Sequence, residues 1–117
     1  MQKRQDLERY AVIIAEWAET LPIKKVYIFG SRVRGDATAA SDLDIALEFQ
    51  FPASVDETMW NWNHQNETDF ADLKNALEVP LSLHTCADDA AWPLIRAAAT
   101  TPVLSIGKVV CVLTPPR

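Results

Sequence analysis

A glycine–serine pair and two aspartates lie close together in this sequence, in positions that could hold a phosphate chain and a metal ion. Gly30 and Ser31 follow an apolar run at residues 26–29, and Asp42 and Asp44 come after ten intervening residues. Glycine lets a ligand approach the main chain closely, and the free amides at a helix start bind phosphate. Mg²⁺ is commonly bound by carboxylates together with substrate phosphates. The stretch therefore predicts a triphosphate site beside a Mg²⁺ site.

The glycine–serine pair is expected to begin a short helix. Ser31 is a residue type that caps helix starts, and the amides that follow it have no partner within the helix. Arg32 and Arg34 lie beside this expected anion site, and Gly35 is suited to end the helix. Arg34 would either support phosphates or pair with Asp36. A glycine–serine turn alone is most often only a turn, so the prediction depends on the aspartates.

The two aspartates fall in an expected strand at residues 42–51. Asp42 and Asp44 are two positions apart, so their side chains would project from the same face of that strand. Leu43 and Ile45 would point the other way, into the core. Two neighbouring carboxylates repel each other unless a cation lies between them. A bare pair of this kind is more often a solvated strand edge, and only its combination with the glycine–serine pair favours a metal site.

The spacing of apolar residues predicts an α/β fold in which a small mixed β-sheet is flanked by helices. We expect one domain over residues 1–117, because the length suits a single core and the composition does not shift along the chain. The strand at 24–29 is apolar on both faces, which is typical of a central strand. The other expected elements are a helix at 4–20, a helical segment at 55–77 after a capping box at 54–57, a strand at 81–85, a helix at 88–99 and a terminal strand pair at 103–105 and 108–113.

Composition and charge exclude several classes of function. The formal net charge is −5, and a surface of that sign repels nucleic-acid backbones, so general nucleic-acid binding is not expected. Cys86 and Cys111 have neither metal-ligand spacing nor the number needed for a disulfide framework, and we expect free thiols. We predict no membrane-spanning segment and no signal peptide, and hence a cytoplasmic protein.

The segment from Gly30 to Ile45 resembles the signature of the DNA polymerase β-like nucleotidyltransferase superfamily. That signature is a hydrophobic residue, Gly-Ser, about ten residues, and then Asp-hydrophobic-carboxylate-hydrophobic. Within the superfamily, the chain is similar to the minimal nucleotidyltransferases, which are about one domain long and include antitoxins. The matching residues are Gly30-Ser31-x-x-Arg34-Gly35, Ser41-Asp42-x-Asp44 and the closing hairpin Gly107-Lys108-Val109-Val110.

The resemblance implies the nucleotidyltransferase fold and Mg²⁺-dependent transfer of a nucleoside monophosphate to a hydroxyl acceptor. AMP from ATP is the expected case. Minimal members often act as antitoxins that modify a small helical toxin of the HEPN class, so a HEPN-type partner is the expected acceptor. Asp42 and Asp44 would be the catalytic residues and metal ligands, and the nucleotide would be bound by Gly30, Ser31, Arg34 and Ser41.

The chain departs from the family pattern at one position. Active members carry a third carboxylate on the strand after the long helix, and here the equivalent residue is Pro80 or Ser82. Glu78 is the nearest acid but would need a shifted register. His84 shares a face with Ser82 and is an alternative base, although a lone strand histidine more often has a structural role. The alternative function is therefore a nucleotide-binding or docking module that regulates a partner without transfer.

Trp60, Trp62 and His64 form a further group of aromatic and polar residues. They could stack on a base or contact a partner. The simpler interpretation is a helix face that packs on the sheet, with at least one tryptophan near the surface because Trp60 and Trp62 cannot share a helical face.

Overall fold

A computed structural model describes residues 4–19, 21, 23–50, 67–85 and 92–115 of the chain. Its elements follow the predicted order. Within these residues the helices are α1 (Arg4–Ala18), α2 (Ser31–Arg34), α3 (Glu67–Leu77) and α4 (Trp92–Ala98). The strands are β1 (Ile23–Phe29), β2 (Leu43–Phe49), β3 (Leu81–Thr85), β4 (Leu104–Ile106) and β5 (Val109–Cys111).

The five strands form one mixed sheet in the order β3-β2-β1-β5-β4. β1 runs antiparallel to β2 and parallel to β5, while β2 and β3 are parallel and β4 and β5 form an antiparallel pair. The predicted α/β fold with a small mixed sheet is confirmed. β1 lies at the centre, as its apolar residues on both faces indicated.

The two faces of the sheet belong to two separate apolar clusters. On one face, α1 and α3 pack against strand residues that include Val26, Ile28 and Ile45. On the other face, Tyr27, Phe29, Ala46 and Val110 pack with Ile95 of α4. Because side chains alternate along a strand, Leu43 and Ile45 enter the first cluster, as expected. Asp44 consequently lies on the face that α4 partly covers.

One boundary of the prediction is wrong and bears on function. The strand predicted from residue 42 begins at Leu43, whose N–H donates to the Pro80 carbonyl at 2.7 Å and so starts the pairing with β3. Asp42 is exposed and directly precedes the strand. The strand ends at Phe49 rather than at residue 51.

The closing hairpin ties the end of α1 to the sheet. Lys108, in the turn between β4 and β5, donates from Nζ to the carbonyls of Ala18, Glu19 and Leu21 at 3.1, 3.2 and 3.3 Å. A cation at the carboxyl end of a helix satisfies carbonyls that have no partner within the helix and interacts favourably with the helix dipole. Lys108 therefore has a structural role in this fold.

Some predictions concern residues outside the described part of the chain. They are the capping box at 54–57, the helical segment up to residue 66, the cluster of Trp60, Trp62 and His64, the environment of Cys86 and the start of the last helix at 88–91. In the described part of the chain, we find no helix with the length and apolar character needed to cross a membrane.

Candidate active site

The turn between β1 and α2 brings the main chain of Gly30 against the carboxylate of Asp44. Gly30 has φ 88° and ψ −160°, a conformation that L side chains rarely adopt. A Cβ at this position would collide with Asp44 Oδ2 and would lie 3.1 Å from Asp44 Cγ. Glycine is thus required here both by the backbone conformation and by the close approach of the carboxylate.

A cavity of about 280 Å³ opens beside this turn. Its polar side contains Ser31, Arg34, Asp44 and His84, and its apolar side is formed mainly by β1, α4 and the C-terminal segment. Four of the six predicted site residues line it, namely Gly30, Ser31, Arg34 and Asp44. The full lining is Phe29, Gly30, Ser31, Arg34, Asp44, His84, Leu94, Ile95, Thr114 and Pro115.

Asp44 lies beside Ser82 and His84 on the neighbouring strand. The parallel pairing of β2 and β3 places Asp44 opposite Ser82 and Ala46 opposite His84. Asp44 Oδ1 is 3.4 Å from His84 Nε2, which is 3.1 Å from Ser82 Oγ. The side chains of His84 and Asp44 are 24% and 26% exposed. Of the two positions considered for the third carboxylate, Ser82 is therefore the one adjacent to Asp44.

Glu78 lies in the turn that ends α3. It has φ 58°, the left-handed conformation that often terminates a helix, and its N–H donates to the Lys74 carbonyl at 3.0 Å. β3 begins only at Leu81, which pairs with Leu43 of β2. The shift in register that Glu78 would need is therefore not present. This arrangement leaves Glu78 outside the strand position that a third carboxylate would need.

Ser41 and Asp42 lie in the loop that precedes β2, and neither is among the described residues that line the cavity. The Ser41 hydroxyl accepts a hydrogen bond from the Thr38 N–H at 2.9 Å and lies 3.3 Å from Thr38 Oγ1. Ser41 thus shapes its own loop, and Asp42 directly follows it as an exposed residue. The structure places these two predicted site residues next to each other but does not bring them into the cavity wall.

Arg32 has a role that the sequence did not indicate. It is only 5% exposed, and its guanidinium donates to the Ser41 carbonyl from Nε at 3.0 Å and from Nη2 at 2.8 Å. Nη2 also lies 3.3 Å from the Ala39 carbonyl and 3.5 Å from the Thr38 carbonyl. The expectation that Arg32 lies beside the anion site as Arg34 does is wrong, because its charge is used to fix the loop that leads to Asp42.

Arg34 pairs with Asp36, one of the two alternatives that the sequence left open, and it also lies in the cavity wall. Its Nε lies 3.4 Å from Asp36 Oδ2 in an exposed ion pair. Exposed pairs of this kind contribute little to stability. A stronger anion in the cavity could therefore take the guanidinium from Asp36 at small cost.

The donor set suits a hard divalent cation that is shared with a phosphorylated ligand. Asp44 supplies a carboxylate and Ser31 a hydroxyl in the cavity wall, and the exposed Asp42 lies in the adjoining loop. Among the residues that the structure describes, no three His, Cys, Asp or Glu side chains are arranged to hold a metal ion by themselves. Mg²⁺ commonly uses one or two carboxylates and takes its other ligands from water and substrate phosphates, so these residues fit such an ion.

The sequence matches the profile of the family described as Polymerase beta, Nucleotidyltransferase over residues 12–95. Because this match covers well over half of the chain, the protein belongs to that family. Comparisons with curated proteins and with solved structures gave no match. Membership supports a nucleotidyltransferase type of function with a nucleotide substrate, and proteins of this superfamily generally use divalent metal ions.

Proposed function

We propose that this protein is a Mg²⁺-dependent nucleotidyltransferase that transfers AMP from ATP to a hydroxyl group. The observation that carries the proposal is the contact between the Gly30 main chain and the Asp44 carboxylate in a cavity that Ser31 and Arg34 also line. Phosphate-binding groups and a metal-binding carboxylate are thereby side by side, as a triphosphate with its cation requires.

The residues that the sequence predicted for the site have separate roles in this proposal. The Gly30–Ser31 turn and the Arg34 guanidinium would bind the distal phosphates, and Arg34 would also offset the negative charge of a chain whose formal net charge is −5. Asp42 and Asp44 would hold Mg²⁺, with Ser41 positioning Asp42 through its loop. When bound, the ion would neutralise charge on the triphosphate and polarise the α-phosphate.

The transfer itself is a substitution at the α-phosphorus. The oxygen of the acceptor hydroxyl forms a bond to that phosphorus, the bond from phosphorus to the bridging oxygen breaks, and pyrophosphate leaves with the electron pair. The hydroxyl proton passes to solvent or to a base. The residues of the cavity would contribute mainly by orienting the triphosphate and by stabilising charge in the transition state.

We further propose that the acceptor hydroxyl belongs to a small helical HEPN-type protein and that the chain acts as its antitoxin. This is supported by the similarity of residues 30–35 and 41–44 to the minimal nucleotidyltransferases. It is also supported by exposed apolar side chains: Leu94, in the cavity wall, is 39% exposed, and Leu113, next in sequence to the lining residue Thr114, is 55% exposed. A partner that covers these side chains would complete the site.

Labelled ATP tests this function. The protein is incubated with Mg²⁺, a HEPN-type candidate and ATP labelled on either the α- or the γ-phosphate, and the Asp44→Asn variant is run beside it. We expect the α-label but not the γ-label to appear on the acceptor, and we expect Asp44→Asn to lose the transfer. Binding of ATP without transfer of the α-label would contradict the proposal.

A second candidate function is a docking module that neutralises a partner without transfer, and the serine opposite Asp44 favours it. Ser82 is opposite Asp44, and neither Ser82 nor Pro80, the two positions at which the family resemblance implies a third acid, carries a carboxylate. If the chain acts by docking, the Asp44→Asn variant would still neutralise the partner. If the chain acts by transfer, the same variant would not. Growth of cells that express the partner with each form of the chain separates the two.

A further inference from the structure

His84 lies in the cavity wall, beside the carboxylate that we assign to the metal ion. We propose that the His84 imidazole is a direct ligand of the divalent ion, in place of the missing third carboxylate. This inference rests on the proposed function, because it concerns the same metal site.

The distance between the two side chains suits a shared ion. Two donors that occupy neighbouring positions of an octahedral ion, each about 2.1 Å from the metal, lie about 3 Å apart. His84 Nε2 and Asp44 Oδ1 are 3.4 Å apart on adjacent strands, so a small closing movement brings both to ligand distance. Both residues line the cavity, where a triphosphate would supply further oxygens.

The surroundings of the imidazole constrain its orientation. The Phe29 ring packs against it with ring centroids 5.3 Å apart at an interplanar angle of 59°, and Nε2 also lies 3.1 Å from Ser82 Oγ. When the ring proton is on Nδ1, Nε2 offers a lone pair on the side of the ring that faces the Asp44 carboxylate and the Ser82 hydroxyl. A cation between Nε2 and Asp44 Oδ1 would then be bound by both atoms, which is the arrangement that we propose.

A histidine in place of a third aspartate makes the donor set less negative and introduces a nitrogen. Mn²⁺ is a suitable probe of this donor set, because it shares with Mg²⁺ the preference for carboxylate and water oxygens.

Pulsed electron paramagnetic resonance of bound Mn²⁺ tests the inference directly, because it detects nitrogen atoms coordinated to the ion. The sample is the untagged protein with Mn²⁺ and inorganic tripolyphosphate, which mimics the phosphate chain and contains no nitrogen. We expect the coupling of a coordinated imidazole ¹⁴N, and we expect it to change to the ¹⁵N pattern when histidine is ring-labelled. The chain contains two histidines, so His64→Ala is the matched control that should leave the signal unchanged.

The variant series separates failure of this inference from failure of the proposed function. His84→Ala should remove the nitrogen coupling and weaken Mn²⁺ binding by about tenfold or more, with circular dichroism used to verify that the variant is folded. Mn²⁺ binding that requires Asp42 and Asp44 but shows no imidazole coupling would overturn the inference and leave the proposed function standing. Mn²⁺ binding that is unaffected in the Asp42→Ala, Asp44→Ala double variant would contradict both.

Discussion

Two glycines with nearly the same positive φ but different ψ, −160° at Gly30 and 9° at Gly35, have different reasons to be glycine. Gly30 and Gly35 have φ of 88° and 87°, yet a Cβ at Gly30 would collide with the Asp44 carboxylate, whereas a Cβ at Gly35 would meet nothing within 4 Å. At both positions, a residue with a side chain would be strained because φ is positive. Only at Gly30 would a side chain also displace a candidate metal ligand.

The pair Gly30→Ala and Gly35→Ala tests this difference. Gly35→Ala should reduce the free energy of unfolding by about 1 kcal/mol and leave the affinity for ATP with Mg²⁺ unchanged. Gly30→Ala should reduce that affinity by at least about tenfold, equivalent to about 1.4 kcal/mol, because Asp44 must move. Urea denaturation and calorimetric titration measure the two quantities. Equal ATP affinity in both variants would argue against a binding role for the Gly30 turn.

Burial gives Cys111 a pH-dependent contribution to stability. Its thiol is fully buried, and desolvation raises its pKa from 9.0 to about 12. Since the folded pKa lies above the unfolded one, the unfolded chain loses the proton first, and stability falls as the pH rises from about 9 toward 12.

We therefore expect the stability advantage of the wild type over Cys111→Ala to shrink above pH 9, by about 1.4 kcal/mol for each pH unit. Urea denaturation at pH 8, 9 and 10 measures the difference, and the alanine variant cancels the titration of other groups. A difference that stays constant across this range would show that the thiol does not titrate as its burial requires.

At the scale of elements, α2 and the loop before β2 are held together by one buried guanidinium. Arg32 of α2 donates to the Ser41 carbonyl, one residue before Asp42, whereas Arg34 of the same helix makes an exposed ion pair with Asp36. The two arginines thus offer a matched comparison between a loop-positioning residue and a ligand-facing residue.

Arg32→Met should lower the free energy of unfolding by about 2–3 kcal/mol, because partly buried carbonyls lose charged donors. Arg34→Met should change that energy by less than about 1 kcal/mol but weaken ATP binding. Chemical denaturation and ATP titration of both variants provide the test. A stability loss that is larger for Arg34→Met than for Arg32→Met would contradict these roles.

The register between β2 and β3 allows the missing acid to be restored. Ser82 is opposite Asp44, so Ser82→Asp would place a carboxylate next to the existing one. Without metal, the two charges repel each other and should lower the melting temperature. Added Mg²⁺ should raise the melting temperature of Ser82→Asp more than that of the wild type, because a bound ion stabilises the folded state. Equal shifts in thermal melts of the two proteins would show that position 82 does not face the metal site.

At the scale of the whole molecule, the sequence predicted the element order and the mixed sheet because apolar spacing records which faces are buried. The central place of β1 followed from its two apolar faces, and the Gly30–Asp44 relation followed from a family signature. The pairing of Ser82 and His84 with Asp44 depends on the register between strands that are distant in sequence, which local spacing does not determine. The burial of Arg32 was not predictable because its partners are main-chain carbonyls, which carry no residue-specific signal.

The cavity also explains how an acidic chain can bind an anionic ligand. A formal net charge of −5 disfavours anions over most of the surface. Arg34 together with a bound cation would make the electrostatic potential inside the cavity positive. Binding of an anionic ligand in this cavity therefore depends on Asp44, which would hold the cation beside the Gly30 turn. Glu48 lies on the same face of β2, four residues away, and its carboxylate is 3.4 Å from the Tyr27 hydroxyl.

Calorimetric titration of ATP in the presence of Mg²⁺ into the wild type, Asp44→Asn and Glu48→Gln tests the central claim most directly. Both variants remove one negative charge from the same strand face, but only Asp44 is among the described residues that line the cavity. The account predicts that Asp44→Asn weakens binding by at least about tenfold, or about 1.4 kcal/mol, while Glu48→Gln binds as the wild type does. Unchanged binding by Asp44→Asn would contradict it.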